Sequence, residues 1–240
     1  MSKRSANRCL AAGLALLLST CLGCGTRRYE DRLQETVKRL EQESVFSQMQ
    51  PPVRLSDTPV MVQFPRFFDH APLPDDSDPR RLKPPSVDIP GLKLTYEGFI
   101  TDSEGGKIPF YCYLAATEED PARQLQRQVR NAFPAEALDW QSVDCPTPDG
   151  GTITWKQLQA EGTQGDGTEQ EFYYVNESGQ ESFAKMPAKF LLDLRQEGRL
   201  FLVIAWRAPT SIEKLIGQDG NFGLDQWAGR VAGSVTVEEE

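Results

Sequence analysis

Hydrophobic positions change their spacing three times along this chain. From Cys9 to Gly23 they form one nearly unbroken run, "CLAAGLALLLSTCLG". From Tyr29 they thin out to Tyr29, Leu33, Val37 and Leu40, every third or fourth residue, which is the period of one helix face. Glu35 and Arg39 lie four apart and support that helix. Between 51 and 90 the pattern is lost among prolines, and Pro65 within "VMVQFPRFF" makes 60–68 an edge strand at best. From Leu92 onward aromatic and β-branched residues gather in strand-length stretches, 92–100, 107–117, 138–145, 152–162, 168–175, 189–196 and 199–209, with glycine turns between several of them. The run Leu200–Trp206 is apolar at every position, as a central strand requires.

Two helices interrupt this texture. In "DPARQLQRQVRNAF" (120–133), Asp120 is placed to cap, Pro121 suits the first turn, and Pro134 stops the helix. Its stripe is Ala122, Leu125, Val129 and Ala132. In 223–235, Leu224, Trp227, Ala228 and Val231 share a face. The expected fold is α+β: an antiparallel sheet of about six strands in a meander, with one inserted helix and one C-terminal helix. The expected organisation is a leader over 1–23, an amphipathic helix within 24–50, a proline-rich linker or wrap over 51–91, and the globular domain over 92–240.

The first apolar run follows "MSKRSANR", a cationic segment without acids. A charged start and a short apolar stretch form the plan of a secretory signal. The run is shorter than the roughly 20 residues a spanning helix needs. It closes on "LSTCLGCG", where Leu22-Gly23-Cys24 resembles the lipobox of bacterial lipoproteins. The resemblance implies a diacylglyceryl group on Cys24, cleavage before it, and an acylated, palmitate-bearing cysteine as the first mature residue. The departure is Cys21, where that family prefers leucine. A second frame ends at Cys21, with Leu18 in the preferred place but Thr20 before the cysteine. In that family an aspartate after the cysteine retains the protein at the inner membrane, so with Gly25 there the resemblance implies the outer membrane. A zinc site from Cys21 and Cys24 would need further soft ligands, and none lie nearby.

Charge then narrows the function classes. Lys and Arg total 26 and Asp and Glu 35, a net −9, which argues against nucleic acid. Loss of Lys3, Arg4 and Arg8 with the leader makes the mature chain more acidic still. Attachment to an anionic membrane surface must therefore come from the lipid and not from a basic patch.

Candidate chemistry is sparse. The one histidine, His70, has Asp69 beside it, but no G-x-S-x-G elbow accompanies it, and it reads as a turn residue. Asp75, Asp76 and Asp78 have a proline in place of the turn glycine of a calcium loop and no glutamate at the right distance, and Asp219-Gly220-Asn221 reads as a turn. "DSEGG" and "TPDGG" lack the Lys-Ser/Thr of a phosphate loop and read as hairpin turns. Asn176-Glu177-Ser178 matches a glycosylation sequon that a bacterial lipoprotein would not normally use. No metal, cofactor or catalytic set is expected. Tyr173 and Tyr174 are adjacent, so a half-buried strand turns one outward, onto the kind of surface a protein partner covers. Cys112 and Cys145 remain as the thiols of the domain. An oxidising compartment allows a bridge if the fold brings their Cα atoms within roughly 4.4–6.8 Å, and otherwise they are two buried free thiols.

The order of hairpin, helix, meander, apolar strand ending "AWRAP" and final helix ending "AGSVTV" resembles PsbP-like domains over roughly residues 53–237. Such modules mostly serve as accessory or assembly factors. The expectation is a non-catalytic lipoprotein, anchored in the bacterial cell envelope and facing the periplasm, that binds an envelope protein. The rival expectations are a hydrolase working through two carboxylates and a small-ligand carrier with a pocket between sheet and final helix.

Overall fold

A computed structural model of the chain describes residues 28–41, 43, 44, 46–66, 88–101, 107–134, 138–165, 167–176, 178–212 and 223–238. Helix α1 covers 28–41. Two short strands follow, β1 (Val53–Arg54) and β2 (Val60–Val62), then β3 (Leu92–Thr101) and β4 (Lys107–Thr117). Helix α2 (Ala122–Ala132) precedes a run of six strands: β5 (Gln141–Pro146), β6 (Thr152–Glu161), β7 (Gln170–Val175), β8 (Glu181–Met186), β9 (Ala188–Glu197) and β10 (Leu200–Pro209). Helix α3 (Leu224–Gly233) and strand β11 (Thr236–Val237) close the described chain.

The fold is α+β and antiparallel, as the hydrophobic pattern predicts. The main sheet has eight strands, ordered β5-β6-β9-β10-β4-β7-β8 with β3 also paired to β4. β10 lies between β9 and β4, and every residue from Leu202 to Pro209 is buried, as the apolar run requires. β9 and β10 join through a two-residue turn whose first residue, Gly198, has φ +59°, a conformation that favours glycine. β8 has no counterpart among the predicted strands. Half of its residues "ESFAKM" are polar and Phe183 points to solvent, so the stretch carries no burial pattern.

Both faces of the sheet are covered. On one face Tyr96, Cys112, Leu114, Trp155, Leu191, Ile204 and Trp206 meet α3 through Leu224, Trp227, Ala228 and Val231. The same layer takes in a strap over 46–66, which buries Phe46, Met49, Leu55, Val60, Val62 and Phe64. β2 is the middle strand of a small sheet, β1-β2-β11, and ends before Pro65, which makes a single bridge with Met49. The prolines at 51–66 thus lie in a wrap against the core. On the other face Leu125 and Val129 of α2 pack on Tyr113, Ala115, Leu158, Phe190, Leu192 and Val203. The N-cap of α2 is Pro121 rather than the expected Asp120, because the Pro121 carbonyl accepts the Leu125 N–H, and the Asp120 carboxylate just before it accepts the Ala122 N–H at 2.9 Å. α3 sits so close to β5 that a Cβ on Gly233 would lie 1.9 Å from the Pro146 carbonyl oxygen.

Candidate functional site

Three places hold side chains that packing alone does not account for. The first is α1. Its stripe, Tyr29, Leu33, Val37 and Leu40, is exposed by 68, 51, 47 and 55%. These are most of the large apolar side chains found exposed among the described residues. A helix with one apolar face gains its stability by covering that face, and here no described residue buries it.

The second lies between the sheet and α3. Asp193 on β9 is fully buried. Its Oδ1 accepts from Gln157 Nε2 at 2.9 Å, while Oδ2 has no hydrogen-bond partner. Burial pushes its carboxyl up to about 7, against the opposing Gln157 bond, and the nearby Asp225 charge adds to the rise. Lys189, four residues earlier on β9 and also buried, holds both carboxylate oxygens of Asp225 at 2.9 Å. Asp225 stands in the first turn of α3, where a negative charge is favoured. Asp193 has no solvent contact, whereas Asp225 is more than half exposed and paired with Lys189.

The third is on the opposite face, where the sheet divides. β4 pairs with β3 along one edge; on its other edge β10 runs as far as Arg207↔Tyr111, and β7 joins at Lys107↔Val175. The side chain of Arg207, 4% exposed, lies in that gap. Its guanidinium stacks 4.4 Å from the centre of the Phe172 ring and 5.8 Å from that of Tyr111. Nη2 donates to the Glu171 carbonyl at 2.6 Å, while Nε and Nη1 have no hydrogen-bond partner. The Tyr111 hydroxyl donates to Glu97 Oε1 at 3.2 Å. Burial raises both phenols, Tyr113 to about 12, with Arg207 pulling the other way, so both remain protonated donors.

The residues singled out by sequence reasoning are scattered relative to these sites. Cys21 and Cys24, His70, Asp75, Asp76, Asp78 and Asp219 lie outside the described residues, as do the side chains of Tyr173 and Tyr174. Asn176 folds its amide oxygen onto the N–H groups of Ser178 and Gln180, at 3.0 and 2.8 Å, and so shapes the β7–β8 turn. Cys112 and Cys145 do not bridge: both are buried free thiols. Three strands, β10, β9 and β6, separate β4 from β5. At about 4.8 Å per strand this is roughly 19 Å along the sheet, well beyond disulfide reach. Burial raises both thiols, Cys145 to about 12, so neither ionises near neutral pH.

Sequence reasoning did not single out Asp193, Lys189 or Arg207. Their signal is present all the same: single charges inside the apolar stretches "KFLLDL" and "LFLVIAWRAP". A strand buried on both faces cannot turn such a charge to water. Among the described residues no group of three or more His, Cys, Asp or Glu could hold a metal ion, and no helix is long and apolar enough to cross a membrane.

No family model matches the chain, and no curated protein matches it. Solved structures that resemble it include a protein from Bacteroides thetaiotaomicron VPI-5482, with 11% identity over 75% of this chain and a TM-score of 0.34; the match spans 46% of that protein's length. They also include the Saccharomyces cerevisiae Ran-binding protein Mog1p, with 12% identity over 79% of this chain and 95% of Mog1p, at a TM-score of 0.35. At this level of identity and overlap, neither likeness assigns a function.

Proposed function

We propose that this chain is a lipoprotein of the bacterial cell envelope, anchored through Cys24, whose α+β domain binds an envelope protein and performs no catalysis. The reading includes a signal peptide removed before Cys24, a periplasm-facing domain, the outer membrane as the favoured site, and an accessory role of the PsbP-like kind. The observation that carries it is the uncovered stripe of α1, which begins a few residues after Cys24. Leaving four apolar side chains in water forgoes roughly 1.5–3 kcal/mol for each large one that could be buried. A partner helix or groove that covers the stripe recovers that free energy.

The test is a pull-down from membranes with the acylated chain, comparing wild type with Leu33→Glu/Leu40→Glu. The expected outcome is a partner retained by wild type and lost by the double variant, with an unchanged melting temperature because the stripe lies outside the core. Recovery of the same proteins by both chains, or of none by either, would overturn the partner reading. The anchor is checked separately. Cys24→Ala should leave uncleaved precursor or release the protein from membranes, whereas the same effect in Cys21→Ala would move the anchor to Cys21.

A further inference from the structure

We propose that Arg207 is the receptor for the carboxylate of a small monocarboxylic acid, bound in the gap where β10 and β7 part along β4. This goes beyond the partner reading and does not depend on it.

Arginine cannot shed its charge in a protein, so a buried guanidinium must be compensated by a partner. Arg207 is buried, and among the described residues no carboxylate lies within ion-pair distance of it. Nη2 bonds a carbonyl, Glu171 O, and the Tyr113 hydroxyl also interacts with the Arg207 side chain, but both of these neighbours are neutral. Nη2 carries two hydrogens and that carbonyl takes one. The second stays on the other edge of the guanidinium, beside either Nε or Nη1, and both of these are unpartnered. A complete two-donor fork is therefore left, the geometry that matches both oxygens of a carboxylate.

The surroundings select the charge of the ligand. Among the described side chains against this site, the Phe172 and Tyr111 rings and Glu97, there is no second cation, and the chain carries a net charge of −9. Glu97 lies next to Tyr111, and its charge acts on the tyrosines of this site. A single negative charge matches a single guanidinium, whereas a phosphate dianion would meet repulsion without a second cation. The Phe172 and Tyr111 rings fix the plane of the guanidinium, so the fork is held before the ligand arrives. β10 leaves β4 at Tyr111 and β7 joins it at Lys107, and a ligand would have to enter through this break in pairing, because Arg207 itself is only 4% exposed.

The probe is sodium benzoate at constant ionic strength, titrated into the full chain while the Arg207 Nε–H resonance is followed by proton–nitrogen NMR. The expected result is a saturable shift of that resonance with benzoate and with acetate, and none with chloride. By calorimetry, Arg207→Lys, which keeps the charge and loses the fork, should bind benzoate about tenfold more weakly or not at all. An Nε–H resonance that neither carboxylate moves would overturn the proposal, and this measurement holds even if the variant fails to fold. Equal benzoate affinity in wild type and Arg207→Lys would also overturn it, as would inorganic phosphate binding as tightly as benzoate.

Discussion

The two faces of the main sheet each bury a charged residue, and they deal with it in opposite ways. On the α3 face, Asp193 sits in the core with one oxygen unpartnered. It escapes the cost of burial by keeping its proton up to about pH 7. On the α2 face, Arg207 has no such escape, because a guanidinium stays charged throughout the accessible pH range. The acid is therefore a problem of stability that pH can relieve. The arginine is a problem that only another group can relieve. That difference is why a ligand is assigned to one and not to the other.

The largest expected effect tests the acid. With the folded carboxyl at about 7 and the unfolded one at 3.8, the folded chain binds the extra proton between those values. Below about pH 4 both states are protonated and burial of the group costs little. As pH rises towards 7 the unfolded state gains by ionising first, so stability falls, and above 7 the full cost of about 4 kcal/mol is present. Denaturant melts of wild type across this window should therefore show a downward slope that Asp193→Asn flattens. Parallel profiles for the two chains would show that Asp193 does not carry the slope.

Next in size are changes that damage one face and spare the other. Leu125→Ala empties a fully buried site beneath α2 and should cost about 2–5 kcal/mol, while exposed Arg127→Ala should cost almost nothing. Similar melting temperatures for these two variants would mean that α2 is not seated as described. On the opposite face, Gly233→Ala drives a methyl into the Pro146 carbonyl and should cost about 1–3 kcal/mol by pushing α3 off β5. If Gly233→Ala melts with wild type, the approach of α3 to β5 is looser than the geometry states. The smallest effect belongs to Arg207→Met. It keeps an apolar stem near Phe172 and removes an uncompensated charge, but it also loses the ring stacking and one hydrogen bond. These contributions oppose each other, so the change should stay within about 1 kcal/mol. A loss of several kcal/mol would instead mark Arg207 as a structural keystone.

The parts of the fold legible in the sequence are those whose burial is periodic. Leu125 and Val129 announce α2, Leu224, Trp227 and Val231 announce α3, and the apolar run of β10 announces a central strand. β1, β2 and β11 are two or three residues long, too short for any period, and exist through pairing between Thr236-Val237 and Val60-Met61 across the chain. Proline content made the 51–66 segment look irregular, and it is irregular, but Leu55, Val60, Val62 and Phe64 still anchor it. The candidate sites were half legible. A charge inside an apolar strand is visible at Asp193 and Arg207. Their neighbours are not, because Gln157, Phe172 and Tyr111 arrive through strand order rather than sequence proximity. The fate of Cys112 and Cys145 also depended on strand order, which two cysteines in a sequence do not reveal.

The strap over 46–66 also has a mechanical consequence. Any tension on α1 reaches the domain through Phe46 and Met49 and then along this segment. Its grip is side-chain burial, two very short strand pairings, and bonds such as Gln63 N–H to Ser234 Oγ at 2.9 Å. The ladders of the eight-stranded sheet do not run through it. The expected response in a pulling experiment is that the strap peels from the α3 face while the sheet stays paired, so that the molecule lengthens by one segment before its main body is stressed.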